Sequence, residues 1–416
     1  MLSDEVIEKV SERLVERIES LNTYILKKIA KSIKKIGTLT PSEAHQLVYI
    51  LQFGGDYDKI IKKIAEITEL NVKDIRKIFE EVSKENYKFA EQFYKYRNKK
   101  YIPFEENEIL QRQIEAISTA TVEKYLNISD TRGIGYTITD DKGNILFKDV
   151  STAYQDTVDE AILSVSQGKT TFEEEMSKAM QKLGSSGLKY VDYSTGTTRR
   201  LDSALRMNIK DGVRQLHNEN EILFGKKFNA NGVEITVHSN PAPDHAPVQG
   251  RQFSTIKPSE KELSEWEKLQ KGEKAKDYKG NEYTLDHDGK NGYRPISEMN
   301  CYHYVFPIIV GLTKPRFTDE QLQSIIDKSK EEIEFEDKKY NRYELSQLQR
   351  KIETSIRKWK DIQIMGKESG IEKTTQKAQN KINQLVNKYY ELSKVSGLPT
   401  KLERIQVEGY RPVKLS

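Results

Sequence analysis

At 416 residues the chain has room for two to four structural units. Only 36% of residues are apolar and 32% are charged, which excludes one large compact globule and favours long helices with wide polar sides. The 68 basic and 64 acidic residues leave a net charge of +4, so bulk charge does not announce a nucleic-acid binder and any basic surface must be local.

A single cysteine, Cys301, rules out an intrachain disulfide and fits a reducing compartment. The first residues, Met-Leu-Ser-Asp-Glu-Val, lack the basic-then-apolar pattern of a signal peptide. No run approaches the roughly 18 apolar residues needed to span a bilayer. The expectation is a soluble, non-secreted protein.

Residues 4–36 read as one long helix. Val6, Val10, Leu14, Ile18, Leu21, Ile25, Ile29, Ile33 and Ile36 recur at steps of three and four and make one apolar stripe. Gly37 suits the left-handed residue after its end. Thr40 as N-cap, Pro41 at the first helical position and Glu43 predict a second helix, ended by Gly54 and Gly55. Asn71 with Asp74 predicts the start of another, carrying Ile75, Ile78, Phe79 and Val82.

The pattern changes at Ile134–Val150, where Asp140-Asp-Lys-Gly143 between alternating segments predicts a hairpin. Helices are expected again at about 151–167 and 170–183, broken by Gly184 to Gly187. The best-marked helix spans 199–218, with Leu201, Leu205, Ile209, Val213 and Leu216 as its buried stripe. Arg206, Lys210 and Arg214 follow at four-residue steps on the flank, with Arg199 and Arg200 at the entry. Five cations on one side could meet a phosphate backbone or an acidic partner. More often such a charge run is a solvated flank with local ion pairs.

From 231 onward the chain reads as mixed. Val233–Val237 alternates like a short strand, 258–274 reads as a charged helix around Trp266, and a Gly-rich turn region covers 280–292. Tyr304–Val310, interrupted by Pro307, predicts an edge strand or buried extended segment. Leu345, Leu348, Ile352, Ile356 and Trp359 carry one late helical stripe, and Ile382, Leu385, Tyr389 and Leu392 another. With Gly366 and Gly370 between them, they predict an αα-hairpin exposed on its polar faces. The expected fold class is therefore mainly α with a small α+β domain. Its parts are a helical N-terminal region (1–130), a helical stretch with a hairpin and the basic helix (131–230), the small α+β domain (231–315) and a C-terminal helical hairpin with tail (316–416).

The chemistry concentrates between 238 and 303, which holds Cys301 and four of the six histidines. His238, His245, Cys301 and His303 would supply one thiolate and three imidazoles, an acceptable zinc set, and Asp244 could replace one of them. Cys301 and His303 share a face only if the chain is extended there. The alternative is that the histidines hydrogen-bond a Pro-rich loop while Cys301 packs as a small hydrophobe. A Cys-His nucleophilic pair is disfavoured, because Cys301 precedes an extended run and not the helix N-terminus that lowers a thiol pKa. No GxxxxGK[ST], GxGxxG or HExxH pattern occurs, so nucleotide-binding and zincin readings have no support.

The segment His238-Ser-Asn-Pro-Ala-Pro-Asp-His245-Ala-Pro-Val-Gln-Gly250-Arg251-Gln-Phe-Ser254, answered by Arg294-Pro295 and Asn300-Cys301-Tyr-His303, resembles the signature of the phage minor capsid protein 2 family. Gly37 to Pro41, the Arg199 to Arg206 run, Gly212-Val-Arg-Gln-Leu and Ser396 to Thr400 are similar as well, so the resemblance covers almost the whole chain. The family, distantly similar to Mu F-like head morphogenesis proteins, comprises head proteins of tailed phages and prophages of low-GC Gram-positive bacteria. It usually has Arg between the cysteine and the histidine; Tyr302 stands there in this chain.

The resemblance implies a low-copy structural protein of the virion head near the portal, made in the host cytoplasm, that acts in assembly and in DNA packaging or ejection. It implies portal and other head proteins as partners, with packaged DNA a further candidate, and no membrane or small-molecule substrate. It carries over no catalytic residue and no cofactor; a structural zinc rests on the reading of the Cys and His residues alone. Asp244, Gly250, Arg251 and Asn300 then hold the signature loop. The rival from another class is a metal-dependent hydrolase or nuclease using His238, Asp244, His245 and His303.

Overall fold

The computed structural model describes residues 4–36, 56–96, 101–129, 134–140, 142–150, 172–191, 198–283 and 303–413, with 152, 153, 156, 157, 160, 296 and 301. The helices are α1 (Asp4–Ile36), α2 (Asp56–Tyr96), α3 (Glu108–Ser129), α4 (Phe172–Ser186), α5 (Leu201–Lys227) and α6 (Glu265–Lys271). They continue with α7 (Asp319–Lys330), α8 (Arg342–Ser369) and α9 (Glu372–Ser396). The strands are β1 (Ile134–Thr139), β2 (Ile145–Asp149), β3 (Lys189–Val191), β4 (Thr198–Arg200), β5 (Gly232–Ile235) and β6 (Gln252–Ser254). The later ones are β7 (Ala275–Lys276), β8 (Glu282–Tyr283), β9 (Val305–Ile308), β10 (Ile333–Phe335) and β11 (Lys338–Tyr340). The architecture is mainly helical with small antiparallel sheets, as the periodicity predicts.

Contacts group the chain into two units. A first unit gathers Met1–Glu8, Ile75–Thr121 and Met207–Gln347, and a second gathers Lys9–Asp74, Val122–Arg206 and Leu348–Ser416.

In the second unit the α1 stripe is buried at Leu14, Ile18, Leu21, Ile25 and Ile29. A four-stranded sheet runs in the order β2-β1-β3-β4. Its predicted hairpin pairs Thr139 with Ile145 and Gly135 with Asp149. Asp140 Oδ1 accepts from the backbone N–H of Lys142 at 2.9 Å and of Asn144 at 2.8 Å, and Gly143 takes the left-handed conformation that closes the turn (φ 84°). The α8–α9 hairpin breaks at Gly370 (φ 79°), whereas Gly366 stays inside α8.

Three local expectations change. The helix expected to begin at Asn71 does not: α2 runs through that position. The Asn71 side chain works between elements instead, accepting from Arg17 at 3.1 Å and donating to Tyr125 Oη at 3.0 Å. The expected 258–274 helix is confined to α6, because Ser264 and Glu267 form a capping box at its start and Gly272 ends it in left-handed conformation. Finally, one polar row of α8 is buried, at Gln349, Glu353, Arg357 and Asp361, while Glu344, Arg350, Lys351 and Lys367 on the same helix are exposed as expected. The helix expected at 40–54, most of that at 151–167 and the turns at 284–292 lie outside the described residues.

The first unit holds a three-stranded antiparallel sheet, β6-β5-β9. Pro307 lies on β9, an edge strand, opposite Val233, where its missing N–H costs no central ladder bond. Val233, Ile235, Phe253 and Val305 of the sheet join Val248, Trp266, Leu269, Ala275, Ile296 and Cys301 in one apolar core. That core carries the signature loop.

Candidate functional site

The loop begins where β5 ends. Thr236 N–H donates to Tyr304 O at 2.9 Å, and Tyr304 N–H donates to Thr236 Oγ1 at 2.9 Å, so the segment leaving β5 stays tied to the one entering β9. Inside the loop, Ala246 N–H donates to Ala242 O at 3.0 Å and Gln249 N–H to His245 O at 3.2 Å, one compact turn after another. The chain then rejoins the sheet, with Gly250 N–H donating to Ile235 O at 2.9 Å. Gly250 is left-handed (φ 70°), and a Cβ there would meet Leu322 Cδ2 at 2.5 Å. Only glycine fits without displacement.

This scaffold brings three predicted side chains together. His245, Cys301 and His303 are 1%, 2% and 3% exposed, and one ligand atom from each lies within 4.8 Å of the other two. Cys301 Sγ is 3.6 Å from His303 Nδ1. The His238 ring packs edge-on against that of His303, with centroids 4.7 Å apart, and the His245 ring does so at 5.3 Å. Asp244 Oδ2 stands 4.0 Å from His245 Nε2. His238 is held by its backbone N–H, which donates to Gln249 Oε1 at 2.9 Å.

Helix α5 braces the other side. Asn218 Nδ2 donates to His303 O at 3.4 Å, and its Oδ1 accepts from Val305 N–H at 3.1 Å, so one amide grips the backbone on both sides of Tyr304. His217 on the same helix packs against Tyr304 with ring centroids 5.0 Å apart. Burial pushes its pKa down to about 4, so it is neutral at neutral pH. Arg251, at the loop's exit, pairs with Asp319. Asp319 also accepts from Lys279 at 2.7 Å, and the bonds from Lys279 and Arg251 hold its carboxyl below the ordinary carboxylate range.

The arrangement is thus a buried sulfur and two imidazoles, braced by backbone bonds, where a proline-rich loop meets the segment entering β9. A family model described as phage minor capsid protein 2 matches residues 2–392. The chain belongs to the phage minor capsid protein 2 family. No curated protein and no solved structure matches it. As a member of a capsid family it is a structural protein of the phage virion, working among other head proteins. The hydrolase or nuclease rival finds no support: the family is structural, and a catalytic zinc keeps an open position, whereas this trio is closed in.

Other expected site residues of this minor capsid protein fall differently. Asn300, Arg294, Pro295 and Tyr302 lie outside the described residues. The five-cation face does not form: Arg214 in the first unit and Arg200 in the second are buried, Arg206 and Lys210 are half-buried, and Arg199 is exposed. Internal acids explain this. Arg214 Nη1 is 3.1 Å from Asp211, and Arg200 lies 3.4 Å from Asp202 and 3.5 Å from Asp361.

Sequence reasoning missed the network to which Arg200 belongs. In the second unit Arg357 Nη1 donates to Asp202 Oδ2 at 2.7 Å, and Asn22 Nδ2 donates to Asp361 Oδ1 at 3.1 Å. Asn22 Oδ1 in turn accepts from Leu188 N–H at 3.1 Å. Burial would raise the Asp202 pKa, but the Arg357 and Arg200 guanidiniums hold it well below the usual range. Burial pushes Asp361 up to about 6 against the pull of Arg200, and pushes Glu19 up to about 8 with the help of Asp202. The one signal available was the four-residue spacing of Gln349, Glu353, Arg357 and Asp361 on α8.

Proposed function

We propose that this minor capsid protein sits at the portal end of the phage head and acts in head assembly and in DNA packaging or ejection. Family membership over nearly the whole chain supports the head location. The observation that carries docking on another subunit is strand β2. Among the described residues it is an edge strand, and Ile145 and Leu146 on it are exposed, Ile145 by 71%. An unpaired edge with apolar side chains is a surface that a soluble monomer ordinarily blunts and an assembly subunit covers.

The test is co-expression with the portal protein encoded by the same phage, followed by size-exclusion chromatography. Stable co-elution, lost in an I145D/L146D double variant that keeps its far-ultraviolet circular dichroism, supports the reading. Independent migration of the wild-type chain and the portal would sink the portal assignment. Particles assembled without the chain then separate the steps: empty heads point to packaging, and full but non-infective heads to ejection.

A further inference from the structure

We propose that His245, Cys301 and His303 bind one zinc ion, which clips the signature loop to the segment entering β9. The donor set is the first argument. One thiolate with imidazoles suits a borderline-soft, four-coordinate zinc, and hard oxygen-seeking cations such as magnesium or calcium do not choose it.

Geometry is the second. Zinc–sulfur and zinc–nitrogen bonds in a tetrahedron put the sulfur and nitrogen about 3.5 Å apart. Cys301 Sγ and His303 Nδ1 are 3.6 Å apart, and the His245 nitrogen lies within 4.8 Å of both, so a small rotation of one imidazole closes the set. Among the described residues no other group of His, Cys and acidic side chains converges in this way.

The surroundings are the third. Metal-bound histidines commonly lean on a carboxylate, and Asp244 Oδ2 is 4.0 Å from His245 Nε2. That carboxylate, with the thiolate, balances the double charge of the ion inside a buried site. The His303 backbone is held by Asn218, and Cys301 belongs to the apolar core, so two of the three donors are fixed before any ion arrives. His238, its ring against that of His303, is a further imidazole beside the site for the fourth position.

Binding is a proton exchange. Zn²⁺ enters, the Cys301 thiol loses its proton to solvent as the Zn–S bond forms, and both histidines coordinate as neutral imidazoles, with no change of oxidation state. The gain is structural. The ion joins loop residue 245 to residues 301 and 303, so its binding energy resists opening of the loop. The proposal is independent of the portal assignment and fails or survives separately from it.

The experiment uses the purified full chain, with zinc content measured after dialysis and with Co²⁺ loaded in place of zinc. About one zinc per chain and a sulfur-to-cobalt charge-transfer band with strong tetrahedral d–d absorption support the site. Both should be lost in Cys301→Ser, and affinity should fall at least about tenfold in His245→Ala. If Cys301→Ser does not fold, the cobalt spectrum of the wild-type chain decides alone. A folded wild-type chain that retains no metal and shows no thiolate band overturns the proposal. So does metal retained equally by Cys301→Ser and His245→Ala, which would be adventitious.

Discussion

The signature loop and the buried charges of α8 handle polar residues in opposite ways. The loop gathers rare residue types, two histidines and the chain's only cysteine, into a braced pocket of the first unit. The second unit buries ordinary charged and amide residues. Gln349, Glu353, Arg357 and Asp361 follow one another at single-turn steps along α8, and all are buried together with Arg200, Asp202 and Glu19. Rarity announces chemistry, but common residues become structural only through partners that no local pattern reveals. The loop can lose a side chain and remain a loop, whereas a buried ion that loses its partner is left as an uncompensated charge.

The largest effect should therefore come from Arg357→Ala. It leaves the buried Asp202 carboxylate with the Ser203 N–H and with Arg200 as its contacting cation, at 3.4 Å instead of the 2.7 Å contact that Arg357 makes. Removing one partner of a buried pair costs about 3–5 kcal/mol. Denaturant unfolding should show a loss of that size. A change below about 1 kcal/mol, the worth of a surface pair, would mean that the row is effectively solvated and the comparison is wrong.

The pH dependence of the same network comes next. Glu19 has its pKa raised from an ordinary 4.5 to about 8, chiefly by burial. Between those values the folded state keeps a proton that the unfolded state has lost, so stability falls as pH rises through that window. Glu19→Gln mimics the protonated form and should flatten the fall, leaving the variant more stable than wild type near pH 8, with a gain of about 2–4 kcal/mol at most. Parallel stability curves for the two proteins from roughly pH 5 to pH 8 would remove Glu19 from the account.

Glycine positions sharpen the contrast between a built loop and an ordinary turn. Gly250 and Gly143 both have positive φ, but a Cβ on Gly250 meets Leu322 and Val237, whereas around Gly143 nothing lies within 4 Å. Gly143→Ala should cost only backbone strain, about 1 kcal/mol. Gly250→Ala adds the clash and should cost about 2–3 kcal/mol. Equal losses in thermal or denaturant unfolding would mean that the loop yields freely, which a pre-formed site cannot do.

How far this was legible follows from the same physics. The α1 stripe, the 134–150 hairpin, the α8–α9 pair and Pro307 on an edge strand could be read from spacing and turn chemistry, because each depends on neighbours a few residues away. The meeting of His245 with Cys301 and His303 was marked by residue type alone, since the pairing of β5 with β9 that brings them together joins distant segments. Arg200 is misplaced for the converse reason. A basic residue at helical spacing looks solvated unless its acid is known, and Asp361 is 161 positions away from Arg200 in the chain. Asn71 misled as well, because a good capping residue was engaged in tertiary bonds.

The smallest test asks whether the sheet that carries the loop depends on its local punctuation. Ser264 caps α6, accepting from Glu267 N–H, while the Glu267 side chain returns the bond to Ser264 N–H at 2.9 Å. These bonds also hold the Glu267 carboxyl below the ordinary range, the Ser264 backbone being the larger cause. Ser264→Ala should cost about 1 kcal/mol, the usual worth of a cap. Trp266 and Leu269 of α6 belong to the core that also contains Cys301 and Val305. If that core is continuous, amide exchange should quicken in β5 and β9 along with α6. Faster exchange confined to α6 would mean that the sheet and the signature loop stand without that helix.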